Sequence, residues 1–131
     1  GSIGAVAVKR SAPDGLTLMF NVNTIATSAS LIPGKPYDPV VTDITARLGD
    51  VEEWTIINTS LMDHPFHLHV WPFRVVGAAP SVGWKDTVNV PAKQTVRILV
   101  PLTGIAGRTV FHCHVLDHED QGMMGVIEVT R

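Results

Sequence analysis

Ten short runs of alternating apolar and polar residues limit what this chain can fold into. They cover 3–10, 16–22, 42–48, 51–58, 65–70, 73–78, 85–90, 95–100, 107–114 and 125–130. Breakers separate them: "APDG" at 12–15, "IPGKPYDP" at 32–39, Gly49-Asp50, Pro80, Pro91 and the stretch from Gly104 to Gly107. No segment carries a sustained 3.6-residue period, and at most a short helical turn is expected after the second of two histidine-rich motifs. Many short strands in one chain of 131 residues point to an all-β Greek-key sandwich or barrel. The chain reads as a single domain over 1–131, and the opening Gly1-Ser2 is compatible with a cloning scar.

Composition narrows the function. A net charge of -2 gives no reason to expect a nucleic-acid or membrane partner. No apolar run approaches the roughly 18 residues of a spanning helix, and no leader peptide is readable. One cysteine excludes an intrachain disulfide, so any chemistry of Cys113 is that of a free thiol or a ligand.

All six histidines fall in two stretches. "HPFHLHVWPF" (64–73) holds three, and "HCHVLDHEDQGMM" (112–124) holds three with the cysteine and two of the four methionines. Side chains two apart on a strand share a face. Phe66, Leu68 and Val70 therefore form an inward face, whose burial is worth roughly 1.5–3 kcal/mol per side chain. His67 and His69 then point outward. In the second stretch Phe111 and Cys113 point inward, and His112 and His114 outward. Pro65 is expected to break the alternation and free His64 to turn inward. The spacing Cys-x4-His-x4-Met brings His118 and Met123 to the same thiol, and alternation puts Met123 on the face of Ile127 and Val129.

His64, Cys113, His118 and Met123 thus offer two imidazoles, a thiolate and a thioether. That donor set suits a type 1 copper centre. Zinc is the chemical rival for His and Cys ligands. Read singly, Cys113 and Met123 would be ordinary core residues.

At these residues the chain resembles the C-terminal, type 1 copper-bearing cupredoxin domain of laccase-like multicopper oxidases. The resemblance rests on "HPFHLHVWPF" and "HCHVLDHEDQGMMG". It extends through "GDVEEWTIIN", "WKDTVNVP" and "GRTVFHCH", and more weakly to "MFNVNT" at 19–24. It implies copper as cofactor, held at type 1 by His64, Cys113 and His118 with Met123 axial. It also implies a type 2 role for His67 and type 3 roles for His69, His112 and His114. Cys113 would pass electrons through its neighbours His112 and His114 toward a site that reduces O2 to water. Glu119 resembles the acid that supports proton delivery, with Asp117 and Asp120 as nearby alternatives. Asp63 is read as a turn residue or a hydrogen-bond partner near His64. Trp71, Phe73 and Trp84 are expected in the core or an interface, and Met62 in the core or beside the type 1 pocket.

The resemblance also implies an incomplete site. A trinuclear centre in this family takes eight histidines from two domains, and this chain has four for it. The partner is therefore a missing cupredoxin domain or a second copy of the chain, with a small-molecule reductant and O2 as substrates once assembled. An autonomous blue copper electron carrier and a copper cluster assembled between identical subunits stay open as alternatives. Many members of such families are extracellular or periplasmic, and the chain itself does not decide its location.

Overall fold

The computed structural model describes residues 17–20, 37–79 and 82–131. The expected strand at 3–10 lies outside the described residues. Among the described residues there are nine strands: β1 (Thr17–Phe20), β2 (Ile44–Arg47), β3 (Val51–Asn58), β4 (His64–Leu68), β5 (Arg74–Val75), β6 (Thr87–Val90), β7 (Thr95–Pro101), β8 (Gly107–Cys113) and β9 (Met124–Thr130). Among the described residues there is one short helix, α1 (Leu116–Asp120), inside the second histidine stretch rather than beyond it. The all-β expectation is borne out.

The strands form two sheets. One has the order β1-β3-β7-β5 and the other β2-β9-β8-β4-β6. From β1 to β8 each successive strand lies in the opposite sheet, and only β8 and β9 are consecutive neighbours. β1 runs parallel to β3 and β2 parallel to β9; the other pairings are antiparallel. Such crossing lets the apolar faces of β3, β4, β7, β8 and β9 turn toward a shared interior.

That shared interior is the core. β3 and β7 contribute Trp54, Ile56, Ile98 and Val100; β4, β8 and β9 contribute Phe66, Leu68, Phe111, Ile127 and Val129. Trp54 meets Phe66 and Phe111 edge-on, with ring centroids 6.4 and 6.2 Å apart. These are preferred aromatic geometries. Its indole Nε1–H donates to Glu52 Oε2 at 2.7 Å, so its polar atom is satisfied. Trp71 and Phe73 are core residues, as expected. Trp84 is not: it is exposed, with the Arg74 guanidinium 5.3 Å from its ring. Met62 is also exposed, on the bend before β4, and does not fill core.

The alternation in β4 differs from expectation at both ends. Pro65 does not break it. His64, Phe66 and Leu68 are all buried on one face of one continuous strand. Pro65 lies opposite His114 at the end of the β4–β8 ladder, where its carbonyl accepts His114 N–H at 2.8 Å and only the return bond is missing. At the other end the strand stops at Leu68, and Val70 is exposed rather than inward. Val70 has φ 73°, and Trp71 N–H donates to His69 O at 2.9 Å across it. This is a γ-turn of the strained kind, unusual for a β-branched residue.

Trp54 ties the two sheets together through its contacts with β4 and β8. Trp54→Ala should destabilise the fold by about 3–5 kcal/mol, measured as a lower urea midpoint in equilibrium unfolding.

Candidate metal centre

β4 and β8 lie side by side, with Phe66 opposite Cys113, His67 opposite His112 and Leu68 opposite Phe111. Strand alternation then sorts the polar side chains to two faces. His64 and Cys113 face inward, and His67 and His112 face away from the core. The loop after β8 returns through α1 and brings His118 back under Cys113. His118 N–H donates to Val115 O at 2.9 Å, Met123 N–H to His118 O at 2.8 Å, and Cys113 N–H to Met123 O at 3.0 Å. Backbone hydrogen bonds thus link three of the four expected type 1 residues to one another.

On the inner face, Cys113 Sγ is 3.5 Å from His64 Nδ1 and 3.5 Å from His118 Nδ1. One ligand atom from each of these residues lies within 4.8 Å of the others. Ligands bound at about 2.0–2.3 Å around a trigonal metal lie roughly 3.5–4 Å from one another. The observed spacing fits a metal bound between the three. A trigonal His2Cys set beside a methionine is the arrangement that suits copper and distinguishes it from tetrahedral zinc. Met123 is buried at this loop, as its position on the inner face required.

On the other face, ligand atoms of His67, His69 and His112 also lie within 4.8 Å of one another. His69 Nε2 and His112 Nε2 are 3.0 Å apart, and the His67 and His69 ring centroids 4.6 Å. His114 joins at ring contact, 5.2 Å from His67 and 5.6 Å from His112, and stands outside the tight triad. His112 was expected outward. It does face away from the core, yet its neighbours leave it only 5% exposed.

Hydrogen bonds orient the rings of this second group. His67 Nδ1–H donates to the Asp86 carbonyl at 3.0 Å, with Thr87 Oγ1 at 2.9 Å. Its Nε2 is left for a metal. His112 Nδ1–H donates to the Cys113 carbonyl at 3.1 Å, and Glu119 Oε2 lies 3.4 Å from the same nitrogen. Such partners fix the tautomer of a ligating imidazole. Glu119 therefore touches this second histidine group. Asp63 does not reach His64 by hydrogen bond: its carboxylate accepts from Asn89 Nδ2 at 2.8 Å and Ala92 N–H at 2.9 Å. Ser60 does reach it, with its Oγ 2.8 Å from His64 Nε2. No pattern in the sequence singled it out.

Burial shifts the titration of residues in both groups. It pushes the His64 pKa down to about 4, helped by the neighbouring His118 and opposed by Asp63. His67 and His69 are lowered as well, first by burial and then by adjacent imidazoles. Burial raises the Cys113 thiol. Without metal, burial thus favours the neutral forms of His64, His67 and His69 and the protonated thiol of Cys113. Unfolded histidine takes up a proton near pH 6.5, whereas folded His64 resists until about 4. The stability of the metal-free protein should fall as pH drops through that window and level off below it. Urea midpoints measured from pH 7 to pH 4 should show this slope, and His64→Gln should flatten it.

Comparison with known proteins agrees with this geometry. The multicopper oxidase family profile matches residues 9–131. A multicopper oxidase of Staphylococcus aureus is 41% identical over 110 residues, which is 76% of this chain and 24% of that protein. A laccase of Bacillus subtilis is 34% identical over 118 residues, covering 72% of this chain and 23% of the laccase. The solved multicopper oxidase of Campylobacter jejuni, described as a metallo-oxidase, superposes with a TM-score of 0.69 at 38% identity, over 75% of this chain and 22% of that one. The McoA multicopper oxidase of Aquifex aeolicus gives 0.66 at 28% identity, over 88% and 29%. The chain spans about a quarter of the length of the curated relatives it matches. With its cupredoxin-like double sheet and its two histidine groups on opposite faces of β4 and β8, the chain belongs to the copper-binding multicopper oxidase family.

Proposed function

We propose that this chain is one cupredoxin domain, the C-terminal one, of a laccase-like multicopper oxidase. It holds the type 1 copper complete and supplies half of the trinuclear copper site. One observation carries the reading. Cys113 lies inward between His64 and His118, while its sequence neighbour His112 lies on the opposite face with His67 and His69. A single residue and its peptide bonds therefore connect the two groups. When bound, copper supplies one-electron redox chemistry, taking electrons from a small-molecule reductant and delivering them to O2.

The chain's own residues divide the work. His64, Cys113 and His118 provide the type 1 donors with Met123 as the weak fourth. The Cys113 side chain and backbone give electrons a covalent route to His112 and His114. His67 serves as the type 2 ligand, and His69, His112 and His114 as type 3 ligands. Glu119, whose carboxylate lies against His112 and is part-exposed, is placed to take a proton from solvent and hold it beside the half-site. The remaining imidazoles come from another cupredoxin domain, consistent with relatives some four times longer. Family membership favours this reading over a free-standing electron carrier or a cluster shared between identical copies.

Titration of the purified chain with copper, followed by absorption and bound metal, tests the assignment. An intense blue band at one copper per chain is expected, and Cys113→Ser should abolish it. A colourless copper-loaded protein would sink the type 1 reading. His67→Ala should leave the band intact and reduce the copper bound beyond the first equivalent, because its ring lies on the other face.

A further inference from the structure

The bend between β3 and β4 contains a closed hydrogen-bond network that ends on His64. Asn58, the last residue of β3, is buried. Its Nδ2 donates to Met62 O at 2.7 Å and Val90 O at 2.9 Å. Those two carbonyls can only accept, so the amide orientation is fixed and Oδ1 is left as an acceptor. Ser60 N–H donates to that Oδ1 at 2.8 Å, and Ser60 Oγ lies 2.8 Å from it. Ser60 Oγ is also 2.9 Å from Met62 O, 3.2 Å from Met62 N and 2.8 Å from His64 Nε2.

A serine hydroxyl has one hydrogen to give. Two oxygens that can only accept, Asn58 Oδ1 and Met62 O, sit within 2.9 Å of Ser60 Oγ. Turning the hydrogen toward His64 would leave lone pairs facing lone pairs at both contacts. The hydroxyl therefore donates within the bend and offers its own lone pairs to Met62 N–H and to His64. His64 Nε2 must then be the donor. A neutral imidazole with its proton on Nε2 has its lone pair on Nδ1, and Nδ1 is the atom 3.5 Å from Cys113 Sγ.

We propose that Ser60, locked by Asn58, is a positioning residue that sets the His64 tautomer and aims its Nδ1 lone pair at the metal position before any metal arrives. The proposal rests on the reading of His64 as a type 1 ligand. It adds that the ligand is prepared by a hydroxyl four residues earlier in the chain, outside both histidine stretches. The hydroxyl also strengthens Nδ1 as a donor by accepting the proton on the far side of the ring.

Two measurements test this. Long-range proton–nitrogen NMR on the metal-free chain reads the tautomer directly. The wild type should show His64 as the Nε2–H form, and Ser60→Ala should shift the ring toward a mixture of tautomers. Competition with a Cu(I) chelator should show Ser60→Ala binding roughly ten- to a hundredfold more weakly. Ser60→Thr, which keeps the hydroxyl, should restore both. His64 found as the Nδ1–H form in the wild type would overturn the proposal, as would a folded Ser60→Ala with unchanged tautomer and unchanged Cu(I) affinity. Should Ser60→Ala fail to fold, the wild-type tautomer decides alone. The NMR result is independent of copper, so failure of the copper reading and failure of the Ser60 proposal are separable.

Discussion

Where β4 meets β8, Phe66 sits opposite Cys113 and His67 opposite His112, and both chemical groups of the molecule hang from that pairing. The inner face of the pair is apolar and packs under Trp54. The same face carries Cys113, at home in a core, and His64, whose polar ring is buried there with Ser60 Oγ as a partner. The outer face carries the imidazoles that crowd together around His112. The hydrophobic demand that fixes which face is buried also sorts His64 and Cys113 to one side and His67 and His112 to the other. Folding and site assembly are one event here.

Burial has a second effect. It makes the inner donors reluctant to carry charge, with His64 neutral down to about pH 4 and the Cys113 proton held more tightly than usual. Neutral imidazoles can ligate at once, whereas the thiol has to give up its proton to the incoming metal. Ligation of copper by Cys113, as proposed, would release that proton. The bound metal in turn stabilises the folded chain, since an unfolded chain offers no such assembled donors.

Much of this was legible in the sequence because strand alternation is a rigid rule. The period-2 pattern in 64–68 and 107–113 was enough to separate His67 and His112 from Cys113, and the Cys-x4-His-x4-Met spacing was enough to bring His118 and Met123 to one loop. The misreadings came where local geometry departs from a regular strand. Pro65 was tolerated because it sits at the end of the β4–β8 ladder, where its carbonyl still accepts His114 N–H. Val70 was turned out by a γ-turn that no sequence period signals. Ser60 was invisible for a different reason. Its importance depends on which way an amide and a hydroxyl point inside a bend, and neither leaves a trace in composition or spacing. Asp63, the adjacent acid, was the more obvious candidate, and it is engaged with Asn89 and Ala92 instead.

The opposite facing of Cys113 and its neighbours has a consequence for how such a chain can change over time. A single residue inserted into β8 ahead of Phe111 would turn the thiol outward and an imidazole inward, exchanging the occupants of both faces at once. No one compensating substitution could repair two centres that fail together. Length variation is therefore excluded from β4 and β8. It can accumulate only in connections such as 103–106, where the chain is free to lengthen without changing which side of the sheet any ligand meets.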